Sequence, residues 1–443
     1  MTTLRIANAQ GFWGDSVDAA SKLAAGAPDV DFITLDYLAE VSMSILAKQR
    51  QRDPSAGYAR DFLHVVRSLV PFWREGRRLR IVTNAGGLNP RQCARECIRI
   101  LREGASPELM VAAVSGDDVL PTILEDLERY PRQGLFPHLE SGESIRSIQD
   151  RLVTANAYLG AAPIVEALQR GADVVITGRV ADPSLTVAPC VAHFGWKPDD
   201  YDRLAGATVA GHLIECGTQV TGGNWTNWLE IPDAANIGFP IAEVSADGSC
   251  VIGKPIGTGG CVNAQTVKEQ LLYEIGDPGR YLSPDATVSF LTLNVNDLQN
   301  NRVSVAGATG GPPPATYKVS ATYRAGYRAA GMLTIIGQDA AEKGRRCGAI
   351  ILERLRQAGA EPRRTNVECL GGGGAEVVLR VSVADDRREI VERFTRELAP
   401  LITGGPPGVT GYAEGRPVVH EVFGYWPTTI ERSRAHRVVE MVR

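Results

Sequence analysis

The run from Val209 to Trp225, VAGHLIECGTQVTGGNW, places His212, Glu215 and Cys216 within five residues. If the segment up to Glu215 is helical, His212 and Cys216 stand at i and i+4, with Glu215 on the same side at i+3. Gly217, Gly222, Gly223 and Asn224 follow, residues that end a helix and let backbone approach a ligand closely. Two chemistries suit the trio: acid–base catalysis on an acyl substrate, or metal ligation. Glu215 or His212 can serve as general base. A helix C-terminus disfavours a thiolate, which argues against Cys216 as a nucleophile. Cys261 is the converse case, because it follows Gly259 and Gly260 at the start of a helix leading to Leu272, where a thiolate gains from the dipole. Its bland alternative is a small buried residue.

Three further segments hold candidate groups. In Arg80–Arg102 an apolar run ends at Thr83 and is followed by Asn84, Gly86, Gly87, Asn89 and Pro90. Asn89 suits an N-cap and Pro90 the first helical position, so the amides near Gly86 and Gly87 can cradle a phosphate or carboxylate. An ordinary glycine turn is the alternative, and the spacing matches neither GxGxxG nor GxxxxGK[ST]. In Ser115-Gly116-Asp117-Asp118 the second carboxylate can cap a helix near Pro121, whereas Asp117 has no such duty. Asp117 can act as a base or, with Asp118, help hold a divalent cation. In TGRVADPSL, Asp182 before Pro183 reads as a cap, while Arg179 can clamp a carboxylate or phosphate bidentately. A surface ion pair is the plain reading of Arg179.

These groups need elements to position them. The first 200 residues alternate short apolar runs with amphipathic stretches, the pattern of βαβ units and a parallel sheet. Strands are expected at Leu4–Ala9, Phe32–Leu35, Arg80–Thr83, Leu109–Val114 and Asp173–Thr177. Helices are expected at Ser16–Ala25, Tyr58–Glu75, Pro90–Glu103, Thr122–Tyr130, Ala155–Arg170 and Pro183–Phe194. Each strand runs into a polar or glycine segment (QGFWGDS, DYLAE, NAGGLNP, SGDD, GRVADPS), and ligands of open parallel sheets bind at that carboxyl edge. The fold class is therefore α/β, a doubly wound and mostly parallel sheet in residues 1–205. A glycine-rich insertion carrying site motifs spans 206–315, and a smaller, packed α+β region spans 316–443. In that region strands Thr316–Tyr323 and Met332–Gly337 precede a helix at Ala340–Ala358. A β pair, Thr365–Leu370 and Glu376–Val383, then precedes a helix at Asp386–Leu401.

Composition removes several classes of function. With 47 Lys+Arg against 51 Asp+Glu and no basic tract, nucleic acid is not an expected partner. No apolar run reaches the roughly 20 residues of a membrane span, and MTTLRIANAQGF lacks the charged and apolar regions of a signal peptide. A cytoplasmic protein with no membrane partner is expected. Eight scattered cysteines without a CxxC pair do not form a disulfide framework.

Taken together, SGDD, TGR-AD, GH-IECG-Q-TGGN, IGTGG and the closing GRPVVHEVFGYWPTTI resemble the acyclic terpene utilisation protein A family, from about Leu4 to Ile430. The resemblance implies a place among acyl-CoA-processing enzymes that degrade citronellol and geraniol through CoA thioesters. Longer members append a ferredoxin-like domain after the closing motif, and this chain is expected to lack it. The expected function is a lyase or hydratase acting on a small branched acid or its CoA thioester, with CoA as part of the substrate. Glu215 or Asp117 would be the base, His212 the acid or electrophile, and Arg179 with the Gly86–Gly87 amides the anion holder. Ser115, Gly116, Asn84, Gly222, Gly223, Asn224, Gly259 and Gly260 would line the substrate or anion site. A divalent metal is an open expectation, and a homo-oligomer is expected. A non-catalytic subunit or ligand-binding component of an acyl-CoA complex is one alternative, and a cysteine-dependent acyl transferase or hydrolase using Cys216 or Cys261 is another.

Overall fold

A computed structural model describes residues 3–104, 109–131, 134–371, 374–412 and 415–442. The chain divides into two compact units. The first comprises Met1–Gln149, Val153–Ala321 and Trp426–Arg443, and the second Asp150–Leu152 and Thr322–Tyr425.

The first unit is built on β1 (Thr3–Asn8), β2 (Phe32–Leu35), β3 (Arg80–Thr83), β4 (Val111–Ser115), β5 (Leu152–Ala157), β6 (Val174–Thr177), β7 (Ile241–Ser245) and β8 (Cys250–Gly253). Five of them pair in parallel in the order β1-β2-β3-β6-β4. These short strands are almost wholly buried, the continuous apolar runs that parallel sheets covered on both faces require. The sheet continues antiparallel at both sides. β7 pairs with β1, and a late strand, Val438–Val442, returns to pair with β4.

Helices α1 (Ala19–Gly26), α2 (Glu40–Arg52), α3 (Asp61–Arg74) and α4 (Pro90–Glu103) pack on one face, around Ile33, Leu35, Ile81, Val174 and Ile176. Helices α5 (Leu120–Arg129), α6 (Ala162–Gln169), α7 (Ser184–Phe194), α8 (Tyr201–Glu215) and α9 (Ala264–Leu272) follow. Of these, α6, α7 and α8 contact strands β1, β2, β4 and β6 to β8. The expected α/β class is the observed one. Helix α4 has the expected bounds, with Pro90 in its first turn and Asn89 Oδ1 accepting from Gln92 N at 3.3 Å.

Three expectations fail locally. The stretch expected to be helical from Ala155 enters as strand β5 and becomes helical only at Ala162. Helix α2 was not foreseen, because it splits its apolar residues. Met43 and Leu46 are buried while Val41 and Ile45 are exposed, so no single stripe marks it. The strand expected to stop at Tyr323 and resume at Met332 runs unbroken over Thr316–Ile336.

In the second unit the later part of that long strand pairs antiparallel with Glu376–Asp385, which pairs in turn with Arg364–Leu370. Helices Ala340–Gln357 and Arg388–Phe394 cover one face, burying Leu333, Ile335, Leu379 and Val381 against Cys347, Ile351, Leu355 and Phe394. No helix among the described residues is long and apolar enough to cross a membrane.

Candidate active site

A cleft of about 840 Å³ opens within the first unit at the carboxyl edge of the parallel strands. Three of the five strand-end loops line it, those after β1, β2 and β6, together with the end of α8. Close packing fixes their mutual position. A Cβ on Gly11 would lie 2.5 Å from the Cys216 carbonyl carbon, so the loop after β1 presses on the end of α8. A Cβ on Gly211 would lie 2.8 Å from the Pro183 Cα, so α8 also lies against the loop after β6. Helix α8 is buried on all sides from Leu204 to Ile214, which is why its sequence shows no amphipathic stripe.

At the end of α8, His212 is 2% exposed and held at both ring nitrogens. Its Nε2 lies 2.9 Å from the Gln270 carbonyl oxygen, which can only accept, so Nε2 carries a hydrogen. Its Nδ1 lies 3.1 Å from Glu215 Oε1, so one proton is shared between ring and carboxyl. Burial pushes the Glu215 carboxyl up, His212 opposes this, and Asp182 adds to it. The second carboxyl oxygen of Glu215, Oε2, has no hydrogen-bond partner among the described residues. A glutamate oriented by a histidine, with a raised pKa and one free oxygen, is suited to exchange a proton with a bound molecule.

Lining the same cleft is Asp36, which the sequence did not single out. Asp36, the first residue after β2, is 5% exposed, and its Oδ1 accepts from Asn84 Nδ2 at 2.6 Å and from Leu38 N at 3.0 Å. Asp36 also hydrogen-bonds Asp182. Burial holds Asp36 well above the usual carboxylate range, and the Asp182 charge reinforces this against the pull of Arg179. Asp182 is itself raised by burial, with Arg179 opposing. Two buried carboxyls in contact cannot readily both ionise, so the pair favours holding a proton.

Arg179 lines the cleft. Its guanidinium is largely held within the protein: Nη2 lies 3.0 Å from Asp182 Oδ1, Nη1 donates to the Leu38 carbonyl, and the group stacks 4.1 Å from the centre of the Tyr158 ring. Burial opposes its charge, but Asp182, Tyr158, Asp36 and Glu40 more than offset this and raise its pKa. Arg179 is a positioning residue for Asp182.

The remaining expectations divide sharply. Cys216, Gly223 and Asn224 line the cleft with His212 and Glu215. Gly222, at φ +113°, instead packs against Ile231, whose Cδ1 would lie 2.4 Å from an added Cβ. Asn84 acts through Asp36, its Oδ1 also accepting from Tyr37 N at 2.7 Å. Asp117 is not in the cleft. It is 3% exposed behind Arg179, with Oδ2 accepting from Arg179 N at 2.9 Å and Asn156 Nδ2 at 2.7 Å, and burial pushes it up to about 6. It braces the turn that carries Arg179. Ser115 and Gly116 are covered by the returning C-terminal segment, and a Cβ on Gly116 would lie 2.0 Å from the His436 carbonyl oxygen.

The amides around Gly86 and Gly87 are also occupied. Gly87 N donates to Asn84 O, Leu88 N to Gly57 O, and Leu46 of α2 sits where a Gly87 Cβ would be. An anion has no room there. Gly259 and Gly260 bond to the loop at 232–238 rather than lining the cleft. Burial pushes the Cys261 thiol up against the pull of Lys254, and burial with Glu215 raises Cys216, so neither is a ready thiolate. Cys261 also precedes the Asn263 cap of α9 by two residues, outside its first turn.

Asp36, Asp182, Glu40 and Lys318 were missed as site residues. Glu40 Oε1 accepts from Tyr158 Oη at 3.0 Å, and Lys318 Nζ lies 3.7 Å from it. Asp36 and Glu40 stand in DYLAE and Asp182 in GRVADPS, at strand ends, which was the available signal; Lys318, in ATYKVS, carried none. Among the described residues no three His, Cys, Asp or Glu side chains are grouped so as to hold a metal ion.

The model of the acyclic terpene utilisation family protein AtuA matches residues 4–441. The chain belongs to that family. No curated protein is significantly similar to it. Membership ties the chain to acyclic terpene utilisation, and the cleft is where chemistry for that role would be sought.

Proposed function

We propose that this chain is an acid–base enzyme of acyclic terpene utilisation, adding water to, or removing it from, a branched unsaturated acid or its CoA thioester. The observation that carries the reading is the meeting in one cleft of two carboxyl groupings, Glu215 held by His212 and Asp36 beside Asp182. In the hydration direction Glu215 takes a proton from water as its oxygen bonds to the β-carbon. The electrons of the C=C bond pass to the α-carbon, which takes a proton from the Asp36–Asp182 pair. Substrate and water are consumed and the hydroxy product formed, with the two carboxyl groups exchanging their protons back through solvent. His212 keeps Glu215 oriented and stabilises its charged form. Lys318, which lines the cleft, would meet a carboxylate or thioester oxygen. Leu38, Tyr158, Tyr281, Pro284 and Tyr317 give apolar surface for a branched chain, and the volume lies within the usual range for small-molecule sites, about 300–1,000 Å³.

The test is incorporation of solvent label. Branched enoyl thioesters and free acids incubated in D2O with H2¹⁸O should gain deuterium at the α-carbon and ¹⁸O at the β-carbon. Glu215→Gln should slow this by about 10²–10⁴-fold with an unchanged fold. Failure to label any substrate of this class, or full activity in the Gln variant, would remove the proposal.

A further inference from the structure

The second unit holds a cavity of about 890 Å³ that is the chemical opposite of the cleft. Arg328, Arg364, Arg416 and His420 line it, and no acidic side chain does so among the described residues. Strand register explains how two of the arginines meet. Arg328 and Arg364 both stand directly opposite Ala384, one on each neighbouring strand, so all three side chains project from one sheet face. With strands roughly 4.8 Å apart, the two arginine Cβ atoms are about 10 Å apart across a methyl group. The next rung along, Ala330–Ser382–Asn366, is small and polar and leaves the space between them open.

The same face shows how the fold treats an arginine that is merely structural. One rung further, Arg380 meets Glu368 at 2.6 Å. Elsewhere in the unit Arg345, Arg356, Arg387, Arg388 and Arg393 each contact a carboxylate. Arg328, Arg364 and Arg416 have no carboxylate within ion-pair distance among the described residues, although they converge on one concavity. Like charges gathered on one sheet face cost stability unless an anion joins them.

We infer that this cavity binds a phosphorylated small molecule through a diphosphate or comparable dianion, with Arg328 and Arg364 gripping it from opposite sides. Planar guanidinium forks match phosphate oxygens bidentately, and two of them facing across a gap suit a group with several anionic oxygens. Tyr412 and Val418 offer apolar surface beside the arginines for a ring attached to the phosphates. The inference rests on the second unit's own residues and stands or falls independently of the proposed reaction.

Calorimetric titration of the full chain with inorganic pyrophosphate, and separately with ADP, tests it. Saturable binding is expected in the micromolar to low millimolar range. Arg328→Ala with Arg364→Ala should weaken it by at least about tenfold, as loss of charge-assisted pairs does. Arg364→Lys should restore only part of the affinity, because a point charge replaces a fork. Lys318→Ala, in the other unit, should leave it unchanged. Tighter binding of ADP than of pyrophosphate would assign the source as a nucleotide, and equal binding would assign a phosphate-only ligand. Absence of saturable heat with both probes, or binding that survives the double substitution, would overturn the inference.

Discussion

The two units of this chain manage charge in opposite ways. In the first, carboxyl groups are drawn inside: Asp36, Asp117, Asp182 and Glu215 are all raised by burial, and a single buried arginine, Arg179, serves the Asp36–Asp182 pair. In the second, arginines stay at the surface and most have carboxylate partners, while Asp385 is held below the usual range by Arg387 and by backbone amides of Arg387 and Arg363. Raised carboxyls can give and take protons near neutral pH, whereas a depressed one is fixed as an anion. The contrast therefore separates a region suited to proton transfer from one suited to holding charge.

Substituting Arg179 should break the first region most severely. Arg179→Gln removes the only cation in contact with Asp182 among the described residues and leaves a buried carboxyl pair uncompensated, which typically costs about 3–5 kcal/mol. The loss should be smaller at pH 5 than at pH 7. Without the arginine both carboxyls are raised further, and a group whose folded pKa is raised loses its contribution as pH rises. Urea melts of the variant and parent at the two pH values would check this. An equal loss at both would show that Arg179 matters for packing on Tyr158 rather than for charge.

A smaller effect distinguishes the braces of the two units. Asp117 is raised from 3.8 to about 6, so it favours the folded state below pH 4 and loses that contribution as pH rises through 6. The change amounts to about 3 kcal/mol at 1.36 kcal/mol per pKa unit. Asp385 is depressed, so its contribution is present above about pH 4 and is lost as pH falls. Asp117→Asn should therefore flatten the fall in stability between pH 4 and 6.5. Asp385→Asn should cost most at neutral pH and little in acid. Parallel pH profiles for the two variants would contradict the contrast between the units.

Much of the fold could be read from sequence because short apolar runs separated by helices admit few arrangements. The strands at Phe32–Leu35 and Arg80–Thr83 and the helix at Pro90–Glu103 have the bounds expected of them. The site was only half legible. His212 and Glu215 fall within one helical turn, so local spacing brings them together. Asp36 and Asp182 are 146 positions apart, and only the sheet order β1-β2-β3-β6-β4 makes their loops neighbours. The same nonlocality misled at Gly86–Gly87 and Ser115–Gly116, whose strand-end turns are filled by α2 and by the returning C-terminal segment. Neither covering element announced itself, one lacking an amphipathic stripe and the other lying more than 300 residues away.

The smallest expected effect sharpens the comparison most. Arg328 and Arg364 are exposed, have no carboxylate partner among the described residues and stand on either side of Ala384, so folding gains little from their charge. Arg328→Ala with Arg364→Ala should change stability by less than about 0.5 kcal/mol, the usual range for surface positions. The direction should be slightly stabilising at low salt, where mutual repulsion is least screened, and that gain should fade as ionic strength rises. The same pair of substitutions is expected to abolish most anion binding. Arg179→Gln should do the reverse, unfolding the protein more readily without altering pyrophosphate affinity at concentrations where it remains folded. Denaturant melts at two salt concentrations would separate the cases. A loss of more than about 1 kcal/mol on removing the exposed pair would mean that these arginines hold the second unit together, placing them with Arg179 instead of opposite it.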